Sequence, residues 1–189
     1  ASAPSPIPLS VLSYPRNRGK GYALTTGSHA ATGEWIAWID ADLDLHPSHL
    51  PLMLTKAKAT TADALVGSKR HPASVVNYPL RRQIFSALYQ GLIRLLFKFN
   101  VRDTQVGLKV FHRPVLDIVL PHVLVKRYAF DVEVLALARH FGFTRIYESP
   151  IHLTYQFSGT NLDLAAIGRS LWDTAAIFYR MHITRTYDR

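Results

Sequence analysis

Apolar residues along this chain recur in two rhythms. Short runs rich in aromatic and β-branched residues alternate with longer segments whose apolar positions return every three or four residues. The first kind reads as buried strands and the second as helices. Strand-like runs cover 9–14, 35–39, 64–68 and 145–153. Helical spacing covers 22–32, 47–60, 79–99, a stretch from about Pro114, 129–141 and 162–182. Gly33 stands where a glycine ends the first of these helices. Strands alternating with helices predict a single α/β domain with a mainly parallel sheet flanked by helices, with no repeat and no domain-scale linker. In such sheets ligands sit beyond the carboxyl ends of strands, so the polar residues after each run are the first candidates for chemistry. The start of the chain, with Pro4, Pro6 and Pro8, reads as an irregular lead-in.

The segment 79–99 places Ile84, Phe85, Leu88, Leu92, Leu95 and Leu96 among Arg81, Arg82, Arg94 and Lys98. Helical spacing gives it one apolar and one basic side, which suits a helix lying on a bilayer surface. A core-packing helix with a solvated basic face is the plainer alternative. The segment 162–182 is a second amphipathic helix, carrying Leu164, Ile167, Leu171, Trp172, Ala175, Ile177 and Phe178. No stretch approaches the ~18 uncharged apolar residues of a transmembrane helix, and no signal peptide is visible. The chain is therefore expected to be soluble or to lie on a membrane rather than cross it.

Composition narrows the chemistry. The 189 residues are 48% hydrophobic and 19% charged, which fits a folded chain rather than a disordered one. There are no cysteines, so disulfides and thiolate metal sites are excluded. A net charge of +9 favours anionic partners: nucleic acid, phosphorylated small molecules or acidic lipid. The sequence has no recognised nucleic-acid motif and no aromatic–basic platform, which argues against nucleic acid.

Asp40, Asp42 and Asp44 crowd the end of the 35–39 run. Neighbouring carboxylates repel unless a cation sits among them, and Mg²⁺ or Mn²⁺ bridging to phosphate oxygens is the obvious candidate. A solvated acidic turn is the alternative. One helix upstream lies Asn17-Arg18-Gly19-Lys20-Gly21, where glycines would let backbone amides approach an anion and Lys20 would add charge. The spacing is not that of a P-loop, which disfavours a nucleotide triphosphatase.

Taken in order, NRGKGYAL (17–24), DADLDLHP (40–47), GSKR (67–70), DTQVGLKVF (103–111), YAFDVE (128–133) and ESPI (148–151) resemble the family 2 glycosyltransferases of GT-A fold. Within them the set resembles the branch of dolichyl-phosphate β-glucosyltransferase and dolichyl-phosphate mannose synthase. The resemblance implies a metal-dependent, inverting transfer of a hexose from UDP-glucose or GDP-mannose to a polyprenyl phosphate, at the cytoplasmic face of a membrane. It implies Asp42 and Asp44 as ligands of Mg²⁺ or Mn²⁺, with Asp42 and Asp131 in catalysis. Asn17, Lys20, Gly21, Asp40, Ala41, Lys69 and Arg70 would hold the nucleotide-sugar. Arg81, Arg82 and Lys109 would hold the acceptor phosphate. Glu133 reads more simply as an acid at a helix start, and Arg113, Lys126 and Arg127 are further basic residues without an assigned place.

Two departures from the family pattern stand out. The chain starts near what would be the third strand, so two βαβ-sized steps of ~30 residues are expected to be missing, and with them one wall of the nucleotide pocket. The stretch 155–162 carries no basic residue where the family offers a phosphate-gripping loop. These departures motivate an alternative: a non-catalytic, membrane-associated relative or subunit.

Overall fold

The computed structural model describes residues 8–42, 44–76, 80–127, 129–153 and 164–188, with only the backbone described at residues 80–82, 164 and 166. Its main sheet has four strands, β1 (Trp35–Trp38), β2 (Ala64–Ser68), β4 (Lys109–His112) and β5 (Ile146–Pro150), in the order β1-β4-β2-β5. β4 is antiparallel to β1 and β2, while β2 and β5 are parallel. β1, β2 and β5 therefore share one direction, and β4 is the reversed strand of an otherwise parallel sheet. A second, two-stranded sheet pairs β3 (Val75–Val76) with β6 (His152–Leu153) in parallel.

The side-chain alternation of the strands divides the core in two. Ile36, Trp38, Ala64, Val66 and Phe111 point into the larger half. That half is closed by α3 (Leu80–Phe97), α4 (Arg113–Val119), α5 (Phe130–His140) and α6 (Leu164–His182). Leu65, Leu108 and Val110 point the other way, onto Met53 and Ala57 of α2 (His49–Ala59) and onto Ile151. Every residue of β2 is buried, as expected of a central strand covered on both faces. Phe130 to Ala138 of α5 are buried throughout, which explains why this helix shows so little polar face.

The expected elements are present with three corrections. Residues 9–14 are not a strand: they run irregularly, exposed from Leu9 (90%) to Ser13 and half-buried at Tyr14. An apolar run becomes a strand only when a neighbour completes its ladder, and among the described residues no strand pairs with this one. The expected strand 145–153 is two. Pro150 lacks the N–H needed to continue the ladder, and beyond it Ile151 bonds to Ser74 while β6 joins β3. The first helix, α1 (Lys20–Ala30), ends before Gly33, at a cap where the Ala31 N–H bonds to the Gly27 carbonyl at 3.0 Å. Arg113 then crosses from α4 and donates to the carbonyls of Ala31 and Gly33, at 2.7 and 2.8 Å.

Candidate active site

The site is assembled where β1 ends, where β4 begins and where α1 and α5 start. α1 is tied to β1 by a hydrogen bond of 2.9 Å from the Trp38 indole N–H to Ser28 Oγ. It is tied to α5 by Gly21, which lies against the Phe130 ring where a Cβ would collide. Gly19 turns the chain into α1 with φ of 89°, a conformation that favours glycine.

These contacts bring Lys20 to two carboxylates. Its Nζ lies 2.8 Å from Asp40 Oδ1 and 3.7 Å from Asp131 Oδ2. Asp131 reaches on its other side to Lys109, whose Nζ is 2.6 Å from Asp131 Oδ1. The four residues form an alternating row, Asp40–Lys20–Asp131–Lys109. Burial works against the Lys20 ammonium, but Asp131 and Asp40 outweigh it and push its pKa up. Asp40 is seated over Gly107, where any Cβ would fall on its carboxylate. A cleft of about 930 Å³ opens beside the row, lined by Asn17, Arg18, Lys20, Lys126, Asp131 and Arg169 among others.

The sequence-based candidates divide accordingly. Lys20, Asp40 and Asp131 come together, and Asn17 lines the same cleft. Asp42 and Asp44 occupy the turn after β1, where the Asp44 N–H donates to Asp42 Oδ1 at 3.2 Å. Ala41 is exposed on the same turn. Lys69 and Arg70 follow β2 and do not line the cleft. The Lys69 N–H donates to buried Asp103, and the Arg70 guanidinium donates to Ser86 on α3. Glu133 is a structural acid, accepting from the N–H groups of Leu124 and Val125 and from the Tyr187 hydroxyl. The side chains of Arg81 and Arg82 lie outside the described residues.

Two expectations are corrected. Lys109 does not face solvent as a phosphate grip would. Its residue is 1% exposed, and its ammonium donates to the Val106 carbonyl and to Asp131, both at 2.6 Å. The strand explains this: Lys109 and Phe111 share a face of β4, and that face points into the larger core half. Gly21 does not offer its amide to an anion either. Its N–H donates to the Lys126 carbonyl at 3.1 Å, and the Gly19 N–H donates to Asn17 Oδ1 at 2.8 Å. The glycines here serve close packing and a tight turn.

Sequence reasoning left Arg18 and Arg169 unassigned and gave Lys126 and Arg127 no place, yet all four line the cleft. The signal available was adjacency: Arg18 sits within the NRGKG segment, and Lys126 and Arg127 immediately precede YAFDVE. Arg169 carried no local signal, because only the packing of α6 brings it there.

As a possible cation site, the acidic turn offers two carboxylates, Asp42 and Asp44, that make no ion pair among the described residues. Among those residues no group of three or more His, Cys, Asp or Glu side chains is placed to hold a metal ion. Two oxygen donors suit a hard divalent ion that completes its shell from phosphates and water. The donor set fits that use and not a closed protein cage.

Comparison with known proteins bears on the family and the fold. The model of the Glycosyl transferase family 2 matches residues 2–120. A dolichyl-phosphate beta-glucosyltransferase of Trichomonas vaginalis is 29% identical over 185 residues, covering 95% of this chain and 56% of the relative. Glycosyltransferase AglD of Haloferax volcanii is 32% identical over 133 residues, covering 70% of this chain and 21% of the relative. The chain thus spans about half, or less, of the length of these relatives. Among solved structures, glucosyl-3-phosphoglycerate synthase from Mycobacterium tuberculosis superposes with a TM-score of 0.62 at 16% identity, covering 88% of this chain and 56% of that one. That likeness supports the expected GT-A-like fold. The chain belongs to glycosyl transferase family 2.

Proposed function

We propose that this chain is the site-bearing part of a metal-dependent inverting glycosyltransferase. It would move a hexose from UDP-glucose or GDP-mannose to a polyprenyl or dolichyl phosphate at the cytoplasmic face of a membrane. The observation that carries this reading is the row Asp40–Lys20–Asp131–Lys109 beside a cation-lined cleft. The row lies in a chain that aligns over 95% of its length with a dolichyl-phosphate glucosyltransferase. The mycobacterial synthase has been solved with Mn²⁺ and uridine-diphosphate-glucose, which supports the donor half of the reading.

Asp42 and Asp44 are the residues that would hold Mg²⁺ or Mn²⁺, an ion that supplies Lewis-acid stabilisation of the leaving diphosphate. Asp40 is fixed by Lys20 and by its seat on Gly107, so it can present one oxygen to the ribose or sugar. Asp131 lies between two ammonium groups and borders the cleft. A phosphate acceptor is an anion before it reacts and needs no hydroxyl proton removed. Asp131 therefore acts here as an orienting carboxylate for the donor sugar, and Lys109 as the group that positions it.

Calorimetric titration with UDP-glucose and GDP-mannose, each with Mn²⁺ and with EDTA, tests the reading. One donor should bind in a metal-dependent way, and Asp42→Ala should weaken that binding about tenfold or more, as loss of a charged ligand implies. Unchanged metal-dependent binding by Asp42→Ala would remove Asp42 from the site. Absence of binding by either donor would favour the non-catalytic alternative.

A further inference from the structure

The cleft beside Asp131 is rich in cations among its described lining residues. Arg18, Lys20, Lys126, Arg127 and Arg169 line it, and Asp131 is the one carboxylate among its described lining residues. That carboxylate is already contacted by Lys20 and Lys109. Lys109, one of the residues expected to grip the acceptor phosphate, is buried away from it. An adjoining hollow of about 340 Å³ shares Arg127 and Arg169 with the cleft and is lined further by Gly168, Trp172 and Asp173 of α6. Trp172 is 77% exposed there, and Leu171 beside it is also exposed.

A ligand matching this surface has two parts. Its head is a compact anion, because guanidinium groups recognise phosphate oxygens through paired charge-assisted hydrogen bonds. Its tail is apolar and uncharged, because the way out of the cleft passes an exposed indole. A nucleotide-sugar has the first part without the second, since its substituents are a sugar and a polar base. We propose that Arg127 and Arg169, with Lys126 and Arg18 around them, form the subsite for the phosphate monoester of a prenyl phosphate, and that Trp172 on α6 carries the first isoprene units. The assignment rests on the reading of the protein as a transferase to prenyl phosphate. It moves the acceptor from the start of α3 to the junction of α6 with the 126–131 segment. Gly168 contributes by its lack of a side chain: nothing lies within 4 Å of a Cβ built on it, so the helix presents a shallow floor.

The test is direct binding, read apart from catalysis. Geranylgeranyl monophosphate is titrated into the chain, with tryptophan fluorescence as the readout. Trp172 is the exposed indole, Trp38 is buried and Trp35 half-buried. The expected result is saturable binding by the native chain. The Arg127→Gln/Arg169→Gln variant should raise the dissociation constant about tenfold or more, the loss expected for two charge-assisted contacts. The same variant should bind UDP-glucose as the native chain does. Trp172→Ala, followed by calorimetry, should weaken geranylgeranyl monophosphate and leave binding of inorganic phosphate unchanged. Both arginines are exposed, and matched thermal melts confirm that the variants fold.

Unchanged affinity of the double variant, or no binding of the prenyl phosphate by the native chain, overturns the proposal. Equal losses for UDP-glucose and for the prenyl phosphate would also overturn it, by giving the cations to the donor diphosphate. The underlying reading has its own readout, transfer of labelled sugar to the bound lipid. Prenyl-phosphate binding that depends on Arg127 and Arg169 without any transfer would sink that reading and leave the subsite standing.

Discussion

At the scale of single residues, the most informative contact is the ion pair of Lys109 with Asp131. Two charges with little exposure cost free energy to dehydrate, and their attraction and remaining hydrogen bonds offset it. Here Lys109 also donates to the Val106 carbonyl, and Asp131 also meets Lys20, so neither charge has a single partner. Removing one side is worse than removing both. We expect Lys109→Met to lower stability by about 3 kcal/mol, the lower end for leaving a buried charge without its partner. Adding Asp131→Asn should return part of that loss. Urea denaturation of both variants measures it, and a Lys109→Met protein as stable as the native one would refute the pairing. Lys109 also shows what motif reading overlooks. Its place in DTQVGLKVF drew it to the acceptor, whereas the period of two drew it to the core. Phe111 faces the same way, and this parity was the signal in the sequence that could have placed Lys109 inside.

At the scale of elements, α5 organises its surroundings through Glu133. The carboxylate is fully buried and joins three pieces of chain: the N–H groups of Leu124 and Val125, Arg180 on α6, and Tyr187 in the last turn. Burial is the largest influence on its pKa and raises it, against the lowering effect of Tyr187, Val125, Arg180 and Leu124. The consequence for stability has a definite sign. Between the ordinary glutamate value and the raised one, the folded chain keeps a proton that the unfolded chain has released. The contribution of Glu133 is therefore complete below the ordinary value and is lost as pH rises through the folded one. Denaturant unfolding across mildly acidic pH should show this decline, and Glu133→Gln should flatten it. A native slope of the opposite sign would refute the assignment. Elements were legible wherever local pattern and tertiary partner agree: α2, β2 and α5 fall within a residue or two of their expected bounds. Residues 9–14 have the composition of a strand and no described ladder partner, and composition cannot supply one. The split of 145–153 was marked by Pro150, whose missing N–H was visible in the sequence, but its new partner β3 was not.

At the scale of the whole molecule, the question is what lies against α3. The helix packs inward through Gln90, Ile93 and Phe97, and Tyr89 reaches Thr174 of α6 with a hydrogen bond of 2.8 Å. It leaves Ile84, Phe85, Leu88, Leu92 and Leu95 outside, with Leu88 at 67% and Leu95 at 77% exposure. The expected apolar and basic sides become an inward apolar face and a second, outward one, with Arg94 and Lys98 exposed beside it. Sequence periodicity could not decide which apolar face turns inward, because both are spaced for a helix. A stripe of this kind suits the interfacial region of a bilayer, with the leucines below the headgroups and the cations among lipid phosphates. No described helix is long and apolar enough to cross a membrane. The proposed acceptor hollow lies on α6, which packs against α3, so the bilayer and the tail of the substrate would meet neighbouring helices. Replacing Leu88 and Leu95 by glutamate should then reduce cosedimentation with anionic liposomes about tenfold or more, since each leucine buries apolar area worth about 1.5–3 kcal/mol when fully withdrawn from water. Soluble geranylgeranyl monophosphate should still bind that variant, because its cations and Trp172 are untouched. Equal liposome binding by native and variant chains would mean that α3 faces something other than lipid. A change in sedimentation from larger species to monomer would identify that cover as a second copy of the chain.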